Sequence, residues 1–375
     1  MNKILPGQTI GVIGGGQLGR MMALAAKEAG FKIAVLDPGA NSPCGQIADI
    51  EITGAFDDRE ALQQLAKVSD VITYEFENID AEALEWLSSI AHIPQGSELI
   101  RITQDRRLEK EMLDQAKVPV ASYQIIKNER ELYDKIETFG FNAVLKTLTG
   151  GYDGKGQVKI KSASDLRDGT LLIQKNGPCV LESFVDFTKE ISVIVHRNER
   201  GQTTTLPIAE NIHVNHILHE SIVPARMEQA EQDLAIKLAL QIADTIKLVG
   251  TLAVEMFVTA SGEIYVNELA PRPHNSGHYS IEACETSQFH QHIRAITNWP
   301  LKSTTLVKPV VMVNVLGQHV KPVLEALDDS PEWSIHLYGK AEPKENRKMG
   351  HVTILTNDID QTLQKIDESQ IWKTT

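Results

Sequence analysis

Short apolar runs alternate with amphipathic stretches along the first hundred residues. An apolar run at 10–13 precedes three glycines, Gly14 to Gly16, and an alanine-rich segment at 18–29 ends at Gly30 before a second apolar run at 32–36. Parallel strands need a crossover helix, so this order predicts a βαβ unit in a parallel sheet. Further strands are predicted at 71–73 and near Ile93, with helices at 59–66 and 81–88.

The pattern changes after residue 105, where a charged helical stretch at 106–115 ends before Val118-Pro119. The strands predicted beyond it are 141–146, 158–160, 179–184, 191–196, 252–258 and 264–269, with a long helix at 228–247. After Trp299-Pro300, strands at 309–316 and 351–355 and a helix at 359–366 predict a small C-terminal module.

The predicted fold class is therefore α/β and α+β, in three domains. An N-terminal open parallel-sheet (Rossmann-like) domain covers 1–105, a central α+β domain covers 106–298 with a separate lobe at about 120–182, and a C-terminal domain covers 299–375.

Composition narrows the classes of partner. The formal net charge of −13 argues against a broad polyanion-binding face, so we expect no nucleic-acid partner. Three cysteines lie far apart without CxxC spacing, which is typical of a reducing compartment, and we expect a cytoplasmic protein. The first residues lack the apolar stretch of a signal peptide, and no later stretch approaches a membrane span, so no membrane role is indicated.

The glycines after the first strand have the spacing Gly14-x-Gly16-x-x-Gly19, and Asp37 ends the second predicted strand. This pattern matches the dinucleotide fingerprint, which suggests NAD. Glycines also let backbone N–H groups approach any anion at the positive end of a helix. A structural turn, a dinucleotide site and another phosphate site therefore all stay open.

A second glycine-rich segment runs from Lys146 to Gln157 and contains Gly150, Gly151, Gly154 and Gly156 within a predicted hairpin. So many glycines are entropically costly in a plain surface loop, whereas a flap over a triphosphate needs bare backbone amides and a nearby lysine. The pattern favours a nucleotide flap. It is not a Walker A loop, because a strand follows it instead of a helix.

Two glutamates lie on the arms of the predicted hairpin at 252–269. A turn centred between Ala260 and Ser261 pairs residue 255 with residue 266, so Glu268 shares the face of Glu255. Inward carboxylates need a cation, and an oxygen-only set that includes Asn267 suits magnesium carried by ATP. The alternative is that Glu255 merely pairs with a neighbouring lysine or arginine.

Three further polar segments are candidate ligand or metal sites. The loop at 272–278 is dense in polar side chains between apolar elements, which favours a ligand site. Lys340 and the stretch 347–351 form a basic cluster that either binds a substrate phosphate or is a solvated face. His213-x-x-His216-x-x-His219 suggests zinc, but the Val and Ile between these histidines favour an extended segment in which they diverge.

Together these segments resemble the ATP-grasp superfamily and, within it, the 5-(carboxyamino)imidazole ribonucleotide synthase family. The resemblance covers the full chain. Its most specific parts are Gly150-Gly151-Tyr152-Asp153-Gly154-Lys155-Gly156-Gln157 and Asn267-Glu268-Leu269-Ala270-Pro271-Arg272-Pro273-His274-Asn275-Ser276-Gly277-His278. A weaker part is Gly14-Gly15-Gly16-Gln17-Leu18-Gly19-Arg20-Met21, which related ribonucleotide ligases and formyltransferases share, and a further part is Arg347-Lys348-Met349-Gly350-His351.

The resemblance implies an ATP-grasp fold with ATP between two antiparallel sheets and magnesium at Glu255 and Glu268. The residues implied for ATP are Arg106, Lys146, Gly151, Tyr152, Asp153, Gly154, Lys155, Gly156, Gln157, Glu182, Ser183, Phe184, Val185, Glu190, His213, Asn267 and Glu268. Those implied for the second substrate are Gln17, Leu18, Glu75, Tyr152, Asp153, Arg272, His274, Asn275, Lys340 and Arg347.

The implied reaction uses ATP and bicarbonate to carboxylate the amino group of aminoimidazole ribonucleotide through carboxyphosphate, in purine biosynthesis. Its catalytic residues would be Asp153, Lys155 and Arg272. The implied assembly is a homodimer that acts on small molecules. Formyl transfer to glycinamide ribonucleotide, a dehydrogenase and a non-enzymatic nucleotide sensor are the rival functions.

Overall fold

The N-terminal part of the chain is an open parallel sheet. The computed structural model describes residues 3–151 and 156–373. Four strands are hydrogen-bonded in the order β3-β2-β1-β4, all parallel. The elements are β1 (Thr9–Ile13), α1 (Gln17–Glu28), β2 (Lys32–Asp37), β3 (Ile50–Thr53), α2 (Arg59–Val68), β4 (Val71–Tyr74), α3 (Ala81–Ser88), α4 (Glu98–Gln104) and α5 (Arg106–Gln115).

The predicted βαβ unit is confirmed, but the strand expected near Ile93 is wrong. The segment makes one backbone hydrogen bond to β4, from the N–H of Ile72 to the carbonyl of His92 at 2.9 Å. Pro94 lacks a backbone N–H, and Gly96 turns the chain away with a φ of 65°. Ile93 is buried all the same, which explains its strand-like appearance in the sequence.

A separate four-stranded antiparallel sheet follows, with the order β5-β8-β6-β7. Its elements are β5 (Tyr123–Ile126), α6 (Glu129–Phe139), β6 (Ala143–Thr147), β7 (Gln157–Ile160), α7 (Leu166–Asn176) and β8 (Cys179–Ser183). The predicted glycine-rich hairpin is confirmed as the β6–β7 pair, in which Lys146 lies opposite Gln157.

The remaining strands form one nine-stranded sheet in the order β14-β13-β9-β11-β12-β15-β17-β16, with β10 paired to β9. The elements are β9 (Phe187–Arg197), β10 (Thr203–Thr205), β11 (Ala209–Val214), β12 (Ile217–Val223), α8 (Gln229–Thr245), β13 (Gly250–Thr259), β14 (Ile264–Ala270), α9 (Ser280–Ala283), α10 (Gln288–Ile296), β15 (Val310–Leu316), α11 (Val320–Glu325), β16 (Trp333–Leu337), β17 (Lys348–Leu355) and α12 (Ile359–Glu368).

The C-terminal strands therefore continue the central sheet, because β15 pairs with β12. The predicted limits at residues 105 and 298 stay predictions, while the α/β and α+β classes of the two halves are confirmed. Helix α8 covers one face of the sheet through Leu238 and Ile242, which lie one turn apart and are buried. Within the described ranges, no helix is both long and apolar enough to cross a bilayer.

The register predicted for the β13–β14 hairpin is wrong. Residue 255 does not pair with residue 266, because Met256 takes that partner and Glu255 lies opposite Glu268. The hairpin turn is centred on Ser261 and not between Ala260 and Ser261, which pairs Met256 with Val266, and a β-bulge at Asn267 then places Glu255 opposite Glu268. The two glutamates still share a face, so the conclusion drawn from the wrong register holds.

Candidate active site

A cleft of about 670 Å³ lies between the four-stranded sheet and the central sheet. It brings together most of the residues predicted for ATP, magnesium and the reacting groups. Those that line it are Arg106, Lys146, Gly151, Gln157, Glu182, Ser183, Phe184, Val185, Glu190, His213, Glu255, Asn267, Glu268, Arg272, His274 and Asn275. Gly156 is not among the lining residues, and Tyr152, Asp153, Gly154 and Lys155 lie outside the described residues.

The base of the glycine-rich hairpin is held by Arg106. Its guanidinium donates to the carbonyl of Thr147 at 2.8 Å and to that of Gly151 at 3.1 Å. Gly156 has a φ of 72°, and a Cβ there would lie 2.8 Å from the Thr147 hydroxyl. A side chain at this position would therefore be both strained and crowded, which is why the hairpin requires glycine here.

Glu182 is shared by two lysines. Its carboxylate accepts from Lys146 Nζ at 2.7 Å and lies 3.3 Å from Lys110 Nζ. Burial alone would raise the pKa of Glu182, but the two ammonium groups outweigh it and hold the pKa below its usual value. Lys110 was missing from the sequence prediction. Its position one helical turn after Arg106 on α5 was the available signal.

The acidic pair Glu255 and Glu268 lies in the floor of the cleft. The side chain of Glu268 is exposed to the open cleft, but desolvation by the surrounding protein atoms and the charge of Glu255 raise its pKa to about 7. Glu255 behaves in the opposite way. Burial would raise its pKa, but His274 Nε2 at 2.9 Å outweighs that effect and lowers it to about 2. Two facing carboxylates and the nearby Asn267 form a hard oxygen donor set that fits magnesium.

A third carboxylate, Glu109, lies behind this pair and was missed in the sequence. It is 4% exposed and accepts from the N–H of Leu269 at 2.8 Å, directly after the bulge. Burial raises its pKa to about 8, an effect that Lys110 reduces and Glu268 reinforces. Glu109 is therefore a neutral acid near pH 7 that fixes the backbone beside Glu268.

Arg272 is anchored by a second residue that the sequence did not reveal, Glu77. The guanidinium makes a two-point contact with this carboxylate, through Nε and through Nη2 at 3.0 Å. Both residues line the cleft. Burial would raise the pKa of Glu77, but Arg272 outweighs burial and lowers it, so the pair is ionic.

His274 is held by a chain of buried polar groups. Its Nδ1 contacts the hydroxyl of Ser276 at 2.8 Å, which contacts the hydroxyl of Ser192 at 2.7 Å. Asn211 donates to Ser192 at 3.1 Å. The amide nitrogen of Asn275 is buried and has no partner among the described residues, so its donor is free to bind a ligand.

Glu190 pairs with His213 at the other side of the cleft, with 3.1 Å between Oε2 and Nδ1. Burial would lower the pKa of His213, but Glu190 outweighs it and raises the pKa. The extended segment predicted for the three spaced histidines is wrong, because the chain reverses at Asn215 and His216, which places His213 on β11 and His219 on β12 of one hairpin. Among the described residues, no cluster of three metal-ligating side chains is found.

The glycine motif at the start of α1 contacts an internal carboxylate. Glu75 is buried, and it accepts from the N–H of Gly16 and from the N–H of Gly19 at 2.6 Å. Burial raises its pKa. Arg272 is close enough to oppose this rise in the pKa of Glu75, but Gln17, Leu18, Glu75, Lys340 and Arg347 are not among the residues that line the cleft. Gln17 and Leu18, the residues predicted for the substrate phosphate, begin α1 at this point.

The predicted basic cluster lies near the same motif. Lys340 Nζ donates to the carbonyl of Lys348 at 2.7 Å, and burial together with Arg347 lowers its pKa to about 8, while Glu75 opposes the shift. Arg347 is exposed and donates to the carbonyl of Glu342 at 3.2 Å. Lys348 is the member of this cluster that lines the cleft.

Comparison with known proteins identifies the domains. Residues 7–104 match the ribonucleotide synthetase preATP-grasp domain, residues 111–289 the ATP-grasp domain, and residues 310–365 the phosphoribosylaminoimidazole carboxylase C-terminal domain. The N5-carboxyaminoimidazole ribonucleotide synthase of Bacillus subtilis is 54% identical over 97% of this chain and 95% of its own length. That of Staphylococcus aureus strain MRSA252 is 47% identical over 97% and 96%.

Solved structures of proteins with similar names superpose on this chain. An ADP complex of N5-carboxyaminoimidazole ribonucleotide synthetase superposes with a TM-score of 0.96 at 57% identity, over 99% of this chain and 98% of that one. The Aspergillus clavatus synthase in complex with ADP and 5-aminoimidazole ribonucleotide gives 0.89 at 33% identity, over 96% and 97%. The chain belongs to the N5-carboxyaminoimidazole ribonucleotide synthase family of ATP-grasp ligases.

Proposed function

We propose that this protein uses ATP and bicarbonate to carboxylate the amino group of 5-aminoimidazole ribonucleotide, a step of purine biosynthesis. One observation carries the proposal. A single cleft joins the facing carboxylates Glu255 and Glu268 to Lys146 and the glycine-rich hairpin, in a chain 54% identical to a synthase of this activity.

The nucleotide would bind between the two antiparallel sheets. Lys146 and Arg106 would contact its phosphates, with Gly151 to Gln157 above them and Glu182 to Val185 beside the adenine. Glu190 would bind the ribose next to His213. Magnesium would be held by Glu255 and Glu268 beside Asn267, where it would neutralise phosphate charge.

The chemistry would proceed in two displacements. A bicarbonate oxygen attacks the γ-phosphorus of ATP, the bond to the β-phosphate oxygen breaks, and ADP and carboxyphosphate form. The substrate amine then attacks the carboxyl carbon, the carbon–oxygen bond to phosphate breaks, and the amine loses a proton. Lys155 and Arg272 would stabilise the developing negative charge. Asp153 is our candidate for orienting or deprotonating the amine.

The ribonucleotide would bind at the glycine motif of α1. Its phosphate would meet the N–H groups of Gln17 and Leu18, where the helix dipole is positive, together with Lys340 and Arg347. Glu75, Tyr152, His274 and Asn275 would surround the aminoimidazole. This use of Gly14 to Gly19 replaces the NAD interpretation, so a dehydrogenase is not favoured.

Phosphate release from ATP tests the proposal. Purified protein with bicarbonate should release phosphate faster when aminoimidazole ribonucleotide is added, and labelled bicarbonate should appear in the product. Glycinamide ribonucleotide with formate is the control reaction, and stimulation by that pair alone would contradict the assignment. We further propose that the protein is cytoplasmic and forms a homodimer. Sedimentation of the purified protein would test the homodimer.

A further inference from the structure

We infer that Lys110 is a positioning residue of the nucleotide site, which holds the Glu182 carboxylate so that Lys146 is free to bind the phosphates of ATP. The inference rests on the proposed function, in which Lys146 contacts those phosphates. It adds a residue that does not touch the nucleotide and acts through another.

The two lysines that contact Glu182 differ in their distance to the carboxylate and in their exposure. Lys146 Nζ lies 2.7 Å from Oε2 and its side chain is 20% exposed, whereas Lys110 Nζ lies 3.3 Å from Oε1 and its side chain is 2% exposed. Each lysine thus has its own carboxylate oxygen. Both lysines line the cleft, but Lys146 is the more exposed of the two and is the one with room to turn towards a ligand.

Lys110 is fixed from the other side as well. Its ammonium donates to the carbonyl of Asn267 at 3.5 Å, on the strand that carries the acidic pair. Its backbone belongs to α5, which also carries Arg106 and Glu109 into the cleft wall. Lys110 therefore connects the strand beside the adenine site to the strand beside the metal site.

The role inferred for Lys110 is to remain as the counterion of Glu182 when Lys146 binds a phosphate. Glu182 is 5% exposed, and a buried carboxylate without a counterion is strongly unfavourable. If Lys146 were its only partner, each nucleotide that bound would have to break that pair and leave the carboxylate unpaired. With Lys110 in place, Lys146 can leave Glu182 for a phosphate and one counterion stays behind.

Calorimetric titration of Mg-ATP, without bicarbonate or ribonucleotide, tests this inference. Lys110→Met should weaken ATP binding about tenfold or more, because Lys146 is then retained by Glu182. In a Glu182→Gln background, the same substitution should change the dissociation constant by about threefold or less. An equal effect in both backgrounds would overturn the inference, as would unchanged binding by Lys110→Met.

Arg107→Met is the matched control, since it removes a cation from the same helix at an exposed position. It should bind ATP like the unmodified protein. If Lys110→Met does not fold, a crystal structure of the unmodified protein with a non-hydrolysable ATP analogue still tests whether Lys146 leaves Glu182 while Lys110 stays. Lys146 should lie on a phosphate with Lys110 still within about 4 Å of Glu182. Lys146 retained on Glu182 contradicts the inference.

The outcomes separate the two proposals. If ribonucleotide fails to stimulate phosphate release, the proposed function is wrong, but the ATP titrations still decide the role of Lys110. If stimulation is seen and the titrations show no dependence on Glu182, only the role of Lys110 is wrong.

Discussion

Glu255 and Glu268 lie directly opposite each other on β13 and β14, yet their pKa values move apart, to about 2 and about 7. His274 stabilises the charge of Glu255, while desolvation inside the cleft and the nearby charge of Glu255 favour the protonated form of Glu268, whose side chain is exposed only to the cleft opening. Just below pH 7 the free pair therefore carries most of one proton, which it loses as the pH rises through 7.

Magnesium must displace that proton, so Mg-ATP affinity should depend on pH. Below pH 7 Glu268 is protonated, and affinity should fall by up to about tenfold per pH unit. Above pH 8 it should level off. Glu268→Gln should lose this dependence and reduce turnover about 100-fold or more. Titrations between pH 5.5 and 8.5 measure the first effect and steady-state assays the second.

Glu263→Gln is the control for this prediction, because it removes a carboxylate at the exposed end of the same hairpin. It should keep both turnover and the pH profile. A flat profile in the unmodified protein would show that the pair does not share a proton.

Glu109 makes the stability of the free protein depend on pH. Its folded-state pKa of about 8 lies above the ordinary glutamate value of 4.5, so its contribution is complete at low pH and is lost as pH rises through 8. Between pH 7 and pH 9 the loss should be about 1 kcal/mol. Glu109→Gln mimics the protonated acid, so its melting temperature should fall less over this interval.

Thermal melts of Glu109→Gln and Glu111→Gln at both pH values measure the difference. Glu111 is exposed on the same helix and should melt like the unmodified protein at each pH. If Glu109→Gln loses as much stability as the unmodified protein between pH 7 and pH 9, Glu109 does not ionise in that range.

Arg272→Lys should lower kcat/KM for the ribonucleotide about 100-fold. Lysine cannot make the two-point contact with Glu77, so the charge near the reacting groups moves. Arg226→Lys is a close control, since Arg226 makes the same two-point contact with Glu210 and does not line the cleft. Similar losses in the two variants would mean that the effect is structural.

Gly16→Ala should raise KM for the ribonucleotide about tenfold and leave ATP binding unchanged. A Cβ at Gly16 would lie 2.5 Å from Glu75 Oε1, so the carboxylate and the start of α1 must separate. Gly39→Ala tests the specificity of the effect, because a Cβ there meets Asp37 Oδ1 at 3.4 Å, which is ordinary contact. A raised ATP dissociation constant in Gly16→Ala would contradict the placement of the ribonucleotide.

The order of helices and strands could be predicted from the sequence, and α5 was predicted with the bounds that the structure has, Arg106–Gln115. The hairpin register could not, because neither the exact centre of the turn, at Ser261, nor a one-residue bulge changes the apolar alternation much. Lys110 and Glu109 resemble solvated helix residues in the sequence. Only the packing of α5 under the cleft shows that they are buried.

The continuity of the central sheet also escaped the sequence, since pairs such as Glu220 with Val313 join distant segments. Residue identities predicted many of the groups that line the cleft. The supporting groups, among them Glu77 and Ser192, depend on tertiary contacts that no local pattern records.

This continuity determines which part of the molecule can move. The β13–β14 hairpin with its two glutamates and the strands beside the basic cluster belong to one hydrogen-bonded sheet. A bend between them would break backbone hydrogen bonds. Lys146 and the glycine-rich hairpin belong to a different sheet. We therefore expect closure to be a rigid rotation of that small sheet, while the distance from Glu255 and Glu268 to the strands beside the basic cluster stays constant throughout the catalytic cycle.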